Sequence, residues 1–181
     1  LPAGVARTQQ QALELREWLA NGIEKPLPQF VSAAASLAGA IYHLTDEQWV
    51  IPAMKQAMAG AAMGMVYDAH IEKDDSGQPL PNPNDQAIAT LTGVTFFKRN
   101  KTNIMHNKFL VAGDKLLANG ETPERVICGS ANYTTQGLTS QANLIHSFES
   151  PDLATLYYNR LKLLKDNPTL GKTAKQPGWS K

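Results

Sequence analysis

His106-Asn107-Lys108-Phe109-Leu110-Val111-Ala112 and, further along, Gly129-Ser130-Ala131-Asn132 are the two stretches from which the architecture of this chain can be built outward. Each sets a short polar group at the end of an apolar run. The first run, closing at Gly113, has the length and apolar continuity of a buried strand. Residues two apart on a strand share a face, so His106 and Lys108 are expected to project together while Asn107 and Phe109 point away. Their separation is then roughly 6.5–7 Å, two strand rises, a span that suits a bound phosphate.

The second run, Arg125-Val126-Ile127-Cys128-Gly129-Ser130, also reads as a strand, and the polar turn Tyr133-Thr134-Thr135-Gln136-Gly137 follows it. Gly129 would let backbone approach a ligand closely, while the Ser130 hydroxyl and Asn132 amide can donate to phosphate oxygens. If the two strands are neighbours, joined by a loose hairpin from Gly113 to Glu124, all four polar groups converge.

Reading outward, Gln9 to Ala20 is predicted to be a helix closed by Asn21-Gly22, and Phe30 to Ala38 a second, Ala-rich helix. Gly39 to Leu44 reads as a strand, and Thr45-Asp46-Glu47-Gln48 as a capping box opening a helix toward Gly60, with Pro52 kinking it or starting its main part. Met63 to Ala69 is a second buried strand, and the strand, helix, strand order implies a parallel pair. Glu72 to Asn84, with its three prolines, is a loop near the expected mouth of the site. A short helix from Asp85 to Leu91 and a strand from Val94 to Lys98 lead into the first motif. Asn143 to Phe148 should be a further strand. Ser150-Pro151 then supplies a cap and first-turn proline for a helix whose Leu153, Leu156, Tyr157, Leu161 and Leu164 form a packing stripe.

The expected fold is α/β, a mixed central sheet flanked by helices. Its organisation is an N-terminal helical segment over 1–38, the main domain over 39–166 and a polar tail over 167–181. With 181 residues, 43% of them hydrophobic, the chain can bury a sizeable core without disulfides. Its single cysteine, Cys128, forbids an internal bridge and is expected to be a buried structural thiol. The four histidines show no zinc spacing, and no stretch is long enough to span a bilayer. Seventeen basic against sixteen acidic residues give a nearly neutral chain, which does not favour gripping nucleic acid by charge. The cations of Phe97-Lys98-Arg99-Asn100-Lys101 could guide an anionic substrate. His70 ends a strand that points toward the ligand side, where it either lines the site or stands in an exposed loop, and His146 is expected to be structural.

On these two motifs the chain resembles the phospholipase D superfamily, which shares His-x-Lys, four residues, Asp, and then Gly-Ser-x-Asn. The likeness runs from about Ala40 to Tyr158 and includes Ala40-Ile41-Tyr42-His43-Leu44-Thr45-Asp46 and Met65-Val66-Tyr67-Asp68-Ala69. Two positions depart from the pattern. Gly113 stands where the family has Asp, with Asp114 one place late. Asn143 stands where many members carry a carboxylate that orients the nucleophilic histidine.

The resemblance implies a phosphodiesterase that needs no metal or other cofactor. His106 would attack phosphorus to form a phosphohistidine. Lys108 and Asn132 would hold the non-bridging oxygens, Ser130 would add a hydrogen bond, and Asn143 would support the imidazole. A second histidine must protonate the leaving alcohol. The superfamily pairs two motif copies across one site, whereas this sequence holds one. The implied partner is therefore a second copy of the motif, from a homodimer or from the missing half of a longer chain.

Three functions fit. A phospholipid phosphodiesterase, with water or an alcohol as acceptor, is slightly favoured by the neutral charge, and apolar loops beside the site would support it. A nuclease with the same chemistry would show a basic groove. A non-catalytic module that binds a phosphorylated ligand is motivated by Gly113 and Asn143.

Overall fold

The computed structural model describes residues 8–100, 104–167, 169, 171 and 174–177. Lys101, the first seven residues and much of the expected polar tail lie outside the described residues. In chain order the elements are α1 (Gln9–Ala20), α2 (Pro26–Ser32), β1 (Ser36–Ile41), α3 (Val50–Ala57), β2 (Ala62–Asp68), α4 (Asp85–Thr90), β3 (Val94–Arg99), β4 (Lys108–Asp114), β5 (Thr122–Gly129), α5 (Thr135–Thr139), β6 (Ile145–Phe148) and α6 (Pro151–Asp166).

The strands form one mixed sheet in the order β3-β2-β1-β4-β5-β6. β1, β2 and β3 run parallel, whereas β4, β5 and β6 form an antiparallel meander attached to β1 through β4. This topology decides where function can sit. β1, β2, β3 and β5 end at the same edge of the sheet at which β4 and β6 begin. The residues just past or just before those six strand ends therefore meet along one rim.

Period-two alternation distributes the core. Leu37 and Ile41 of β1, Met63, Met65 and Tyr67 of β2 and Leu110 and Ala112 of β4 pack with α2, α3 and α4 on one face. Ala38, Ala40, Val66, Phe109, Val111 and Val126 pack on the other against Ala154, Tyr158, Leu161 and Leu164 of α6. Ser150 caps α6, its hydroxyl accepting from Leu153 N, with Pro151 in the first turn.

Several local expectations change. Residues 36–38, read as the end of an Ala-rich helix, are strand, so β1 occupies 36–41 where 39–44 was expected. The boundary drawn at 38/39 consequently falls inside β1. The cause is packing: a Cβ on Gly39 would lie 2.5 Å from Leu110 Cδ2 and 2.8 Å from the Phe109 carbonyl. The middle of the strand therefore admits no side chain at Gly39, and its Ala- and Gly-rich composition imitates a helix. The expected Thr45–Gln48 capping box gives way to buried Asp46, whose carboxylate accepts from Trp49 N and Val50 N, both at 2.8 Å. β5 begins at Thr122, which shortens the hairpin connection, with Lys115 and Leu117 at positive φ. The turn after the second motif winds into α5, capped by Thr134. In α6 Leu156 is exposed, and the packing stripe runs through Ala154 and Tyr158 instead. Cys128 is half-buried.

Candidate functional site

The rim gathers the site from distant segments. His106 and Asn107 precede β4, whose first residue is Lys108, so the imidazole and the ammonium do not share a regular strand as expected. They are brought together otherwise: Lys108 Nζ folds back and donates to the His106 carbonyl at 3.1 Å. Lys108 also lies 5.0 Å above the Tyr42 ring centroid. That ring meets His106 edge-on at 4.9 Å and stacks on His43 at 3.8 Å. Tyr42 is thus the hub on which His106, Lys108 and His43 are assembled. The sequence carried the signal for it, since Tyr42 follows directly on β1.

Backbone bonds fix this hub to the second motif. Tyr133 N donates to the His43 carbonyl at 3.1 Å, while Thr45 N and Asp46 N both donate to the Tyr133 carbonyl. Asn132, immediately before Tyr133, is thereby held beside the end of β1. Its Oδ1 is buried without a hydrogen-bond partner. A buried polar atom left unpaired is costly and marks a place where the chain keeps polar capacity for something other than its own packing.

Ser130 and Asn143 are placed differently from expectation. The Ser130 hydroxyl donates to Asn143 Oδ1 at 2.9 Å and accepts from Leu144 N at 3.0 Å. Asn143 Nδ2 donates to the Gly137 carbonyl at 2.8 Å and to Gln141 Oε1 at 3.2 Å. Asn143 lies just before β6, outside the strand assigned to it. Its bonds brace the Gly129–Asn132 turn, so the groups it holds are Ser130, Gly137 and Gln141.

A carboxylate that the motifs did not flag lies under the rim. Asp68, at the end of β2, is buried and accepts from Met105 N at 3.1 Å. Desolvation raises its pKa, and the backbone bond from Met105 and the positive potential of His70 and His43 oppose the rise. Asn84 ties the floor together, donating to the Tyr42 carbonyl at 2.9 Å and to the Asp68 carbonyl at 3.1 Å. Arg99, read as a guide for anions, is buried and donates to the carbonyls of Leu164 and Asn167 near the end of α6. It is a structural cation at a helix C-terminus. His146 is exposed and stacks on Phe148.

The electrostatics suit an anion. Burial pushes the Lys108 ammonium down to about 8, leaving it charged at neutral pH and poorly compensated. Burial first, and Lys108 second, lower the pKa of His106, while Asp68 works against them. A neutral imidazole beside a desolvated ammonium is the pairing that attack on phosphorus and neutralisation of its oxygens would call for. Among the described residues no three His, Cys, Asp or Glu side chains gather as a metal-ligand set.

A family model described as "Cardiolipin synthase, PLD-like domain" matches residues 27–164. No curated protein matches the chain in sequence. Among solved structures, the phospholipase D family member Nuc from Salmonella typhimurium is similar, with a TM-score of 0.59 at 18% identity, covering 75% of this chain and 82% of Nuc. NucT from Helicobacter pylori gives 0.53 at 15% identity, covering 85% of this chain and 91% of NucT. Polyphosphate kinase from Porphyromonas gingivalis gives 0.56 at 11%, covering 80% of this chain and 22% of the kinase. At these identities the structural likeness is one of fold. It agrees with the mixed six-stranded sheet flanked by helices.

Proposed function

Because the chain belongs to the phospholipase D superfamily of phosphodiesterases, as the match over 27–164 shows, we propose that it hydrolyses phospholipid phosphodiesters through a phosphohistidine on His106. The observation that carries the chemistry is the Tyr42 hub, which holds His106 beside the desolvated ammonium of Lys108. The neutral imidazole attacks phosphorus, and Lys108 and the Asn132 amide bind the non-bridging oxygens as charge builds on them. Ser130 acts through the turn that it and Asn143 brace. No metal enters this scheme.

The substrate class is read from the mouth of the site. Ile71, Ile104 and Leu144 are exposed large apolar side chains. Ile71 adjoins His70, Ile104 lies two residues before His106, and Leu144 bonds Ser130 through its backbone. Such an apolar margin favours acyl chains over a polyanion, and the burial of Arg99 removes a cation that a nucleic-acid groove would use.

Hydrolysis of phospholipid vesicles and of oligonucleotides, each in excess EDTA, tests this reading. Ile104→Lys with Leu144→Lys should lower the vesicle rate about tenfold while leaving a soluble nitrophenyl diester unaffected. Preferential cleavage of the oligonucleotide, falling steeply with salt, would replace the lipid reading with the nuclease one.

One role is left open by these four residues, that of the acid which protonates the leaving alcohol. In the superfamily pattern a second copy of the motif supplies it, from a homodimer or from the rest of a longer chain.

A further inference from the structure

We infer that the pocket between α1 and α2 is a further binding site, which takes a small protonated amine against Glu24, Trp18 and Trp49. The pocket has a volume of about 760 Å³ and is lined by the end of α1, the turn after it, α2 and Trp49. It shares no lining residue with the rim, so it stands independently of the chemistry proposed there. Two observations point to a ligand. Glu24, which lines the pocket, is only 8% exposed, and its Oε2 is buried without a hydrogen-bond partner among the described residues. No ion pair offsets its charge among those residues. A buried carboxylate left without a cation is costly. Trp18, in contrast, stands 73% exposed on α1. It contributes little to the core, yet it lines the same pocket together with Trp49.

Hydrogen bonds hold the walls in place. Asn21, left-handed at φ 48°, donates its N–H to the Glu17 carbonyl, and Lys25 N donates to the Gly22 carbonyl at 3.2 Å. The turn that carries Glu24 is thus fixed by its own backbone. Trp49 N donates to the Asp46 carboxylate at 2.8 Å. Arg16 donates to Gln48 Oε1 at 3.3 Å, which ties α1 to the segment that bears Trp49.

The class of ligand follows from these groups. Glu17 and Glu24 against Lys25 give the lining an excess of negative charge, which selects a cation. Indole rings attract cations and cover alkyl surface. A carboxylate with unfilled acceptor capacity favours a cation that carries N–H donors over a quaternary one. A primary alkylammonium meets all three conditions, as a free amine or as the aminoethyl head group of a phospholipid.

The test is calorimetric titration of the full chain with n-butylammonium chloride, compared with tetramethylammonium chloride and with 1-butanol at matched ionic strength. Butylammonium should bind saturably, and about tenfold or more tightly than either comparison. Glu24→Gln keeps the shape of the side chain and should weaken that binding about tenfold or more. Trp18→Ala, at an exposed position, should weaken it about fivefold. Melting curves verify that both variants fold. Pelleting with phosphatidylcholine vesicles, with and without phosphatidylethanolamine, separates the two sources of the amine. Retention that needs both phosphatidylethanolamine and Glu24 would sustain the site with the lipid head group as its ligand. Saturable butylammonium binding without such retention would sustain it with a free amine. No saturable binding of butylammonium, or binding that Glu24→Gln leaves unchanged, would overturn the site. Tetramethylammonium bound as tightly as butylammonium would overturn its assignment to a primary amine.

Discussion

The hydroxyl of Ser36 donates to the carbonyl of Gly113 at 2.8 Å and accepts from Leu116 N at the same distance. This pair closes the end of β4 remote from the site. Gly113 is the position at which the family pattern has Asp, and the register of β4 with β5 shifts between Ala112 and Gly113. Five strand rises, about 17 Å, separate it from Lys108, so its departure from the pattern does not reach the chemistry.

Restoring the family residue should therefore harm the fold and spare the site. A Cβ at Gly113 would stand 2.1 Å from the Thr122 carbonyl, so Gly113→Asp forces the hairpin backbone to move. It should cost about 1–3 kcal/mol in denaturant unfolding, as should Ser36→Ala, which strands two buried partners. The activity of the remaining folded molecules should stay within about twofold of the original.

Asn143 is expected to matter through Ser130. Asn143→Ala removes the acceptor of the Ser130 hydroxyl and loosens the turn that carries Asn132, so kcat/KM should fall about tenfold through misplacement of the amide. Asn143→Asp keeps the acceptor but loses the donor to Gly137, and its loss should be smaller. A greater loss for Asp than for Ala would contradict a bracing role.

Activity should depend on pH through two groups with opposite signs. In the proposed scheme His106, lowered from its ordinary value by burial and Lys108, must be neutral to attack phosphorus, so the acid limb of kcat/KM should lie below 6.5. Lys108 must be charged in that scheme and loses its proton at about 8, so the alkaline limb should fall there. Stability moves the other way. The folded chain releases the Lys108 proton before the unfolded chain does, so this group adds stability as pH rises from about 8 toward its ordinary value of 10.5. A rate profile falling near 8 while the melting temperature holds would separate the two effects. Lys108→Met should remove the alkaline limb together with most of the rate.

The face of α6 gives a direct contrast. Leu161→Ala should cost about 2–5 kcal/mol because Leu161 fills the core beneath the sheet. Leu156→Lys, on an exposed position, should change stability by less than about 0.5 kcal/mol. Denaturant titration of both checks the assignment.

Much of this architecture could be read in advance because long-period signals were strong. The helix over Gln9–Ala20, the Ser150-Pro151 start of α6 and the parallel pairing of β1 and β2 all followed from caps, turns and apolar runs. What escaped reading depended on tertiary packing. The start of β1, residues 36–38, looked helical because the strand is rich in Ala and has no room for a side chain at Gly39, and Arg99 looked like a surface cation because a helix end far along the chain claims it. In the site, motif spacing pointed to His106, Lys108, Ser130 and Asn132 but not to how they are joined. Tyr42 and His43 follow β1 and Asp68 ends β2, and only the sheet order brings these ends to the same rim. Ser130 looked like a ligand contact and Asn143 like a support for the imidazole, although their hydrogen bonds go to one another and to Leu144, Gly137 and Gln141.

The central claim is a covalent intermediate on His106. The protein, in excess EDTA, should be mixed with a nitrophenyl phosphodiester, quenched within one turnover and digested for mass spectrometry. The account predicts a phosphoryl adduct on the peptide that contains His106, absent from His106→Ala together with the release of nitrophenol. Turnover that continues in His106→Ala, or that proceeds in the unmodified protein with no adduct at any quench time, would contradict it.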